Sequence, residues 1–215
     1  MSENLSAREP DWLVWARELQ AIAQTGLAFT QDQYDRERYV ALRDLSARIF
    51  ASHTETSAER IVALFAGETG YATPKIDVRA AVFDQEDRLL MVRETADRDR
   101  WTLPGGWADT NVTAAENAAK EVLEESGYQV AVVKLAALWD RTRQAHPNGV
   151  FSCYKLFFLC EVTGGAPATS IETSAVGWFR ENEIPEDLSV GRVLPGQIRR
   201  MFEHRRAPQL PTDFE

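Results

Sequence analysis

With 215 residues and a formal net charge of −9, the chain can form one large domain or a medium domain with a smaller partner. Its acidic balance argues against a nucleic-acid polymer as partner, because such a ligand needs a basic footprint; a nucleotide stays possible, since bound cations invert the local field. No apolar run is long enough to span a bilayer, and residues 1–6 lack the basic and apolar regions of a signal peptide, so a cytoplasmic location without a membrane partner is expected.

The first sixty-odd residues read as helices. Trp12, Trp15, Leu19 and Ile22 form one apolar stripe, and Tyr39, Leu42, Leu45 and Ile49 form a second. Thr30 with Gln33, and Thr56 with Glu59, have the spacing of capping boxes that would start the second and third helices. The third would carry Ile61, Leu64 and Phe65. Three short helices give a small core, so residues 1–66 are expected to pack on a second copy or on the downstream domain. Residues 67–74, with two glycines and a proline, mark a linker.

From residue 75 onward the pattern changes. Residues 76–83 and 89–92 read as strands around the turn-like 84–87, followed by a short strand at 101–103 and a glycine turn. A helix from about Ala114, a strand from about Gln129 to Trp139, a strand over 151–162, a short strand at 177–179 and a helix over 193–205 complete the chain, Pro195 restricting where the last can begin. Strands around a central helix predict an α+β or α/β sandwich with a mixed sheet. Cys153 and Cys160 fall on one strand, seven residues and so roughly 20 Å or more apart. That is beyond disulfide reach, and the odd spacing points them to opposite faces, as two small buried apolar residues.

The most informative segment is 105–128. Thr113 with Glu116 forms a capping box that starts a helix at about Ala114, and Gly127 supplies its C-terminal cap. Glu121, Glu124 and Glu125 share one side of the helix's last turns. Like charges at this spacing repel, and the carbonyls at a helix C-terminus carry partial negative charge that disfavours them further. Such a conflict between local stability and sequence marks a functional site. A Mg²⁺ ion, which takes a few carboxylates together with substrate phosphate oxygens, is the natural occupant.

This segment resembles the Nudix box, G-x5-E-x7-R-E-U-x-E-E-x-G-U with U a bulky apolar residue. Gly106 takes the first glycine, Glu121 the glutamate after the arginine, Glu124 and Glu125 the pair, Gly127 the last glycine, and Val122 and Tyr128 the apolar positions. Val112 stands where the first glutamate belongs, and Lys120 replaces the arginine; both family residues brace the loop–helix–loop. Residues 75–79, 101–109, 154–158 and 211–214 are similar to a bacterial Nudix branch with an N-terminal helical extension, whose members include ADP-ribose and CDP-choline pyrophosphatases. The resemblance implies a Nudix α/β/α sandwich over 75–215, a homodimer formed through the helices, and Mg²⁺-dependent hydrolysis of a nucleoside diphosphate linked to a group X, with Mn²⁺ as a substitute. Glu121, Glu124 and Glu125 would be the catalytic metal ligands, joined by the Gly105 carbonyl. The proton acceptor stays open among Glu121, Glu124 and the loop acid Glu172. Candidate substrate contacts are Arg79, Trp107, Trp139 and Arg141. His146 has no partner at metal-ligand spacing and reads as a polar loop histidine. A nucleoside triphosphate sanitising enzyme, or a non-catalytic nucleotide sensor, are the competing readings.

Overall fold

The computed structural model describes residues 9–215, so the stretch 1–6 considered for a signal peptide lies outside the described residues. The chain divides into two units: one runs to Pro74 and includes Asn148–Ser152, and the other comprises Lys75–Pro147 and Cys153–Glu215. Among the described residues, no helix is long and apolar enough to cross a membrane.

The first unit holds helices α1 (Asp11–Phe29), α2 (Gln33–Ser52) and α3 (Ala58–Ala66). Two of the expected caps are corrected. Helix α2 is capped by Asp32, whose side chain accepts from the Asp35 N–H at 2.9 Å, while the Thr30 hydroxyl accepts from Asp32. Helix α3 is capped by Ser57, which accepts from the Arg60 N–H, and Thr56 stays outside it. In each case a competent capping side chain sits closer to the first helical residue. The expected stripe on α1 is also displaced. Its buried face is Leu13, Ala16, Gln20 and Ala23, whereas Trp15 and Ile22 are 59% and 54% exposed. Small residues win that face because α2 comes very close: a Cβ on Gly26 would lie 2.3 Å from the Tyr39 ring. On α2, Leu45 is exposed and Ser46, Ala47 and Phe50 are buried, the Ser46 hydroxyl donating to the Ala16 carbonyl at 2.7 Å. Helix α3 buries Ile61 and Phe65 but leaves Leu64 exposed. Together with Leu13, Phe50 and the flanking Val150 and Phe151, they make the unit's core.

The second unit is built on strands β1 (Lys75–Phe83), β2 (Leu89–Glu94), β3 (Arg100–Thr102), β4 (Tyr128–Asp140), β5 (Cys153–Gly165) and β6 (Thr173–Phe179). The order is β3-β2-β1-β5-β4, with β6 paired to β2. Strands β1 and β5 run parallel and the other pairs antiparallel, so the sheet is mixed. Helix α4 (Ala114–Ser126) covers one face through Ala118 and Val122, which pack on Val78, Ala80, Val82, Phe158 and Cys160. Helix α5 (Pro195–Arg206) covers the other through Ile198, Met201 and Phe202, against Ala81, Phe83, Phe157 and Leu159. Period-two alternation along β1 and β5 sorts these residues to their faces, giving the α/β/α sandwich.

Element ends shift modestly from expectation. Helix α5 begins with Pro195 at its first position, where the missing N–H costs nothing. Strand β5 begins at Cys153, because Phe151 joins the core of the helical unit. Strand β6 is longer than the apolar 177–179 suggested, since its start is held by the Thr173 hydroxyl donating to the Glu125 carbonyl at 2.7 Å. Cys153 and Cys160 are free, buried thiols.

Candidate active site

The site starts from the loop between β3 and α4. It runs beside β1: the Pro104 carbonyl accepts from Ala80, the Gly106 carbonyl accepts from Val78, and the Ala108 N–H donates to Ile76, each at 2.9 Å. Gly105 lies between two of these contacts and turns its N–H the other way, onto Glu125 Oε2 at 3.0 Å. Its φ is +142°, and a Cβ there would lie 2.0 Å from the Val78 carbonyl oxygen. Only glycine fits such a backbone and such a close approach.

Helix α4 then brings its acids to this loop. The Thr113–Glu116 capping box is present, and Gly127 closes the helix at φ +76° with its N–H on the Leu123 carbonyl. Glu125 is 4% exposed. Burial pushes its carboxyl up to about 8, with Glu121 and Glu94 adding to the rise and Arg79 and the Gly105 N–H opposing it. Glu121 is half-buried, and burial raises its carboxyl too; a Cβ on Gly106 would sit 3.1 Å from Glu121 Oε1. Glu124 is exposed and paired with Lys120 at 3.2 Å. Lys120 also reaches Asp109 at 2.9 Å, so a lysine ties the loop to the helix where the family motif has arginine. Val112 is exposed and leaves this bracing to Lys120. Among the described residues, no three His, Cys, Asp or Glu side chains form a ready-made cation cage, since Glu125 faces Gly105 and Glu124 faces Lys120. The donor chemistry nevertheless suits a hard cation: a buried carboxylate without an ion pair of its own is what a divalent ion relieves.

The expected substrate residues separate into two groups. Trp107 is 54% exposed, while its backbone bridges Asp77 and its carbonyl accepts from Asn117. Arg141 follows β4 and donates to the Pro147 carbonyl at 2.6 Å. Arg79, by contrast, is 3% exposed and directs Nε and Nη2 onto the two oxygens of Asp77, with Nη1 on the Leu103 carbonyl. Trp139 is buried in the core against Phe157, ring centroids 5.1 Å apart, which leaves little of its ring open to a base. Glu172 is exposed and within electrostatic reach of Glu121. His146 packs with Nδ1 on the Val190 carbonyl at 2.7 Å and Nε2 near the Gln197 side-chain amide at 3.1 Å. Burial lowers it to about 4.

Sequence reasoning missed three buried charges beside the site. Asp77 accepts from Lys155 Nζ at 2.6 Å as well as from Arg79. Burial works against the Asp77 carboxylate, yet Arg79 and Lys155 outweigh it and hold its carboxyl below the ordinary range. Glu94, at the end of β2, is 6% exposed and paired with Arg192 at 3.2 Å. The i, i+2 spacing of Asp77 and Arg79 on a predicted strand was a usable signal for the pair; Lys155 lies 78 positions from Asp77, and nothing local announces it.

The sequence and the fold are both similar to those of known proteins. Residues 73–195 match the NUDIX domain, and residues 10–65 match a family described as the UDP-X-like N-terminal oligomerisation domain of Nudix proteins. The Bacillus subtilis (strain 168) protein named "Putative ADP-ribose pyrophosphatase YjhB" is 44% identical over 95% of this chain and 97% of its own length. A solved UDP-X diphosphatase superposes with a TM-score of 0.60 at 29% identity, covering 95% of this chain and 98% of that one. An ADP-ribose pyrophosphatase structure from Streptococcus suis 89-1591 has a TM-score of 0.60 at 36% identity, over 66% of this chain and all of the other. The domain match covers more than half of the sequence and contains the glycine turn and the acidic end of α4, so the chain belongs to the Nudix family and is a Nudix hydrolase of the pyrophosphatase kind.

Proposed function

We propose that the enzyme hydrolyses a nucleoside diphosphate linked to a group X, of the ADP-ribose or CDP-choline type, to a nucleoside monophosphate and phospho-X, using Mg²⁺, with Mn²⁺ as a substitute. The observation that carries this reading is Glu125: a carboxyl buried to 4% exposure, set on the Gly105 N–H and pushed up to about 8. Glu121, Glu124, Glu125 and the Gly105 carbonyl would hold the cation, Glu124 turning from Lys120 to join. A divalent ion held there would supply charge neutralisation for the diphosphate and a lowered pKa for the attacking water. The protein's own share is positioning. Glu125 is fixed by the Gly105 N–H, and the absence of a side chain at Gly106 leaves room for the Glu121 carboxylate. Glu121, Glu124 and Glu172 are the candidate acceptors of the attacking water's proton; only Glu172 lies outside α4, so Glu172→Gln isolates its contribution. On the substrate side, Trp107 and Arg141 are the outward-facing contacts, Arg79 supplies positive charge from beneath and Trp139 a packed wall.

Incubation with ADP-ribose, CDP-choline, CDP-ethanolamine and dinucleoside polyphosphates in Mg²⁺ or Mn²⁺ tests the reading. AMP or CMP as product supports it. Pyrophosphate released from a triphosphate, with no turnover of the diphosphate derivatives, overturns it in favour of a sanitising enzyme; no metal-dependent turnover at all favours a nucleotide sensor.

The same proposal includes a homodimer formed through the helical unit. Trp15, Ile22 and Phe29 recur every seventh residue along α1 and are 59%, 54% and 66% exposed, an apolar seam of the kind a second helix covers. Replacing all three with aspartate should give a monomer by sedimentation; a dimer that persists would rule this seam out.

A further inference from the structure

Beside the exposed Lys120–Glu124 pair, a buried cation acts on the acidic end of α4 but spends its contacts elsewhere. Arg79 is buried, and its strongest electrostatic partners after Asp77 are Glu125 and Glu121. A buried guanidinium left without a counter-charge is costly, so it takes whichever carboxylate is presented to it in the right geometry. Asp77 presents both oxygens, at 2.9 and 2.8 Å from Nε and Nη2, a two-pronged contact that fixes the plane of the fork. Asp77 is itself held: the parallel register of β1 and β5 sets it opposite Lys155, which donates to Oδ1 at 2.6 Å. Asp77, Arg79 and Lys155 are 6%, 3% and 2% exposed, so water does not compete for these contacts.

We propose that Asp77, anchored by Lys155, is a positioning residue that sequesters Arg79 and so leaves Glu125 and Glu121 available to a divalent cation. The inference rests on the metal-site reading given above. Without the Asp77 charge, Arg79 pairs with the α4 carboxylates and competes with the ion for them. Lys155 acts one step further back, by keeping Asp77 turned toward the fork.

The test is direct Mn²⁺ binding to the full chain without substrate, read as loss of the free-Mn²⁺ electron paramagnetic resonance signal. Asp77→Asn should weaken binding by about tenfold or more, the scale on which supporting residues tune a metal site. The metal concentration for half-maximal activity should rise in parallel, and kcat at saturating metal should fall by less. Removing the competitor as well, in Asp77→Asn/Arg79→Gln, should recover most of the lost affinity; this cycle separates competition from general damage. Asp77→Glu, which keeps the charge, should bind better than Asp77→Asn. If Asp77→Asn does not fold, Lys155→Met replaces it, with a smaller loss in the same direction. Wild-type affinity in Asp77→Asn, or a double variant as weak as the single one, overturns the proposal. If wild type binds no Mn²⁺, or Glu125→Gln binds it as wild type does, the metal-site reading itself fails and this inference falls with it. An intact difference between wild type and Glu125→Gln, alongside an unaffected Asp77→Asn, refutes the inference alone.

Discussion

Glu125 and Asp213 are both carboxylates of the sheet unit, the first buried and the second partly exposed, and their surroundings treat them in opposite ways. Asp213 meets Arg200 through two contacts, at 2.5 and 2.7 Å, and His204 at 3.1 Å. The Arg200 fork holds its carboxyl below the ordinary range. Glu125 accepts one backbone N–H and has no ion pair of its own, since Arg79 beside it is spent on Asp77, and burial drives its carboxyl up to about 8. One arrangement is complete and acts as a clamp for the C-terminal segment. The other is incomplete until a cation arrives. Asp77, as buried as Glu125 but ion-paired with Arg79 and Lys155, shows that burial alone does not make the distinction; a missing ion-pair partner does.

The sharpest way to break this comparison is Glu125→Gln. Turnover should fall by at least about 10²-fold, the scale for losing one preorganised electrostatic contact in an active site, while circular dichroism and thermal stability stay at the wild-type level. Near-normal activity would remove Glu125 from the site. Adjacent glycines offer a second contrast. At Gly105, alanine meets both a φ of +142° and a carbonyl oxygen 2.0 Å from its Cβ, and should cost about 3 kcal/mol or more by urea denaturation. At Gly106, the added Cβ meets only the end of the Glu121 side chain, at 3.1 Å. Gly106→Ala should therefore lower activity with little loss of stability. Equal stability losses in the two variants would show that the turn, rather than the carboxylate beneath it, decides both.

Much of the acidic site is local and so was legible. Helical spacing gathers Glu121, Glu124 and Glu125, the Thr113–Glu116 box and Gly127 set the helix ends, and Gly105 marks the turn. The strands of the sheet could also be read from alternation, though β6 was seen only at its apolar end. What escaped depends on tertiary contact. Lys155 reaches Asp77 only because two distant strands pair in parallel. Trp139 looks like a stacking platform until the core closes over it. On α1 the bulk of Trp15 and Ile22 suggested a buried stripe, but the close crossing at Gly26 and Tyr39 selects Ala16 and Ala23 instead. Apolar periodicity reports where large residues lie and cannot tell which face a neighbouring helix will approach.

His146 extends the comparison to a group whose neutral form is the one that fits. The Gln197 Oε1 accepts from the Leu194 N–H at 3.0 Å, which leaves its amide nitrogen facing His146 Nε2. Nδ1–H then donates to Val190, and a proton on Nε2 would confront the Gln197 amide hydrogens, with Lys155 and Arg141 adding repulsion. Its folded value of about 4 lies below the unfolded value near 6.5. The contribution to stability is therefore fully present above about pH 6.5 and is lost as pH falls toward 4. Discounted for partial exposure, it amounts to about 2 kcal/mol. Urea denaturation at pH 7.5 and 4.5 should show a smaller pH dependence in His146→Gln than in wild type; identical slopes would assign the acid sensitivity elsewhere.

Asp213→Asn should have the smallest effect and is the complement of Glu125→Gln. The main-chain contacts of Asp213 remain in the variant, its N–H donating to Ala136 and its carbonyl accepting from Leu138, both at 2.9 Å. What disappears is the charge opposite Arg200, and the pair is partly solvated, with side chains 20% and 32% exposed. Screening reduces the loss to about 1 kcal/mol. Because the folded pKa is depressed, this stabilisation is present above the unfolded aspartate value and disappears as pH falls through the folded one. Wild-type and variant stabilities should thus differ at pH 7 and converge in acid, while turnover at pH 7 is unchanged. A loss of turnover in Asp213→Asn without a loss of stability would erase the distinction between the two carboxylates, since the completed ion pair would then be serving the chemistry as well.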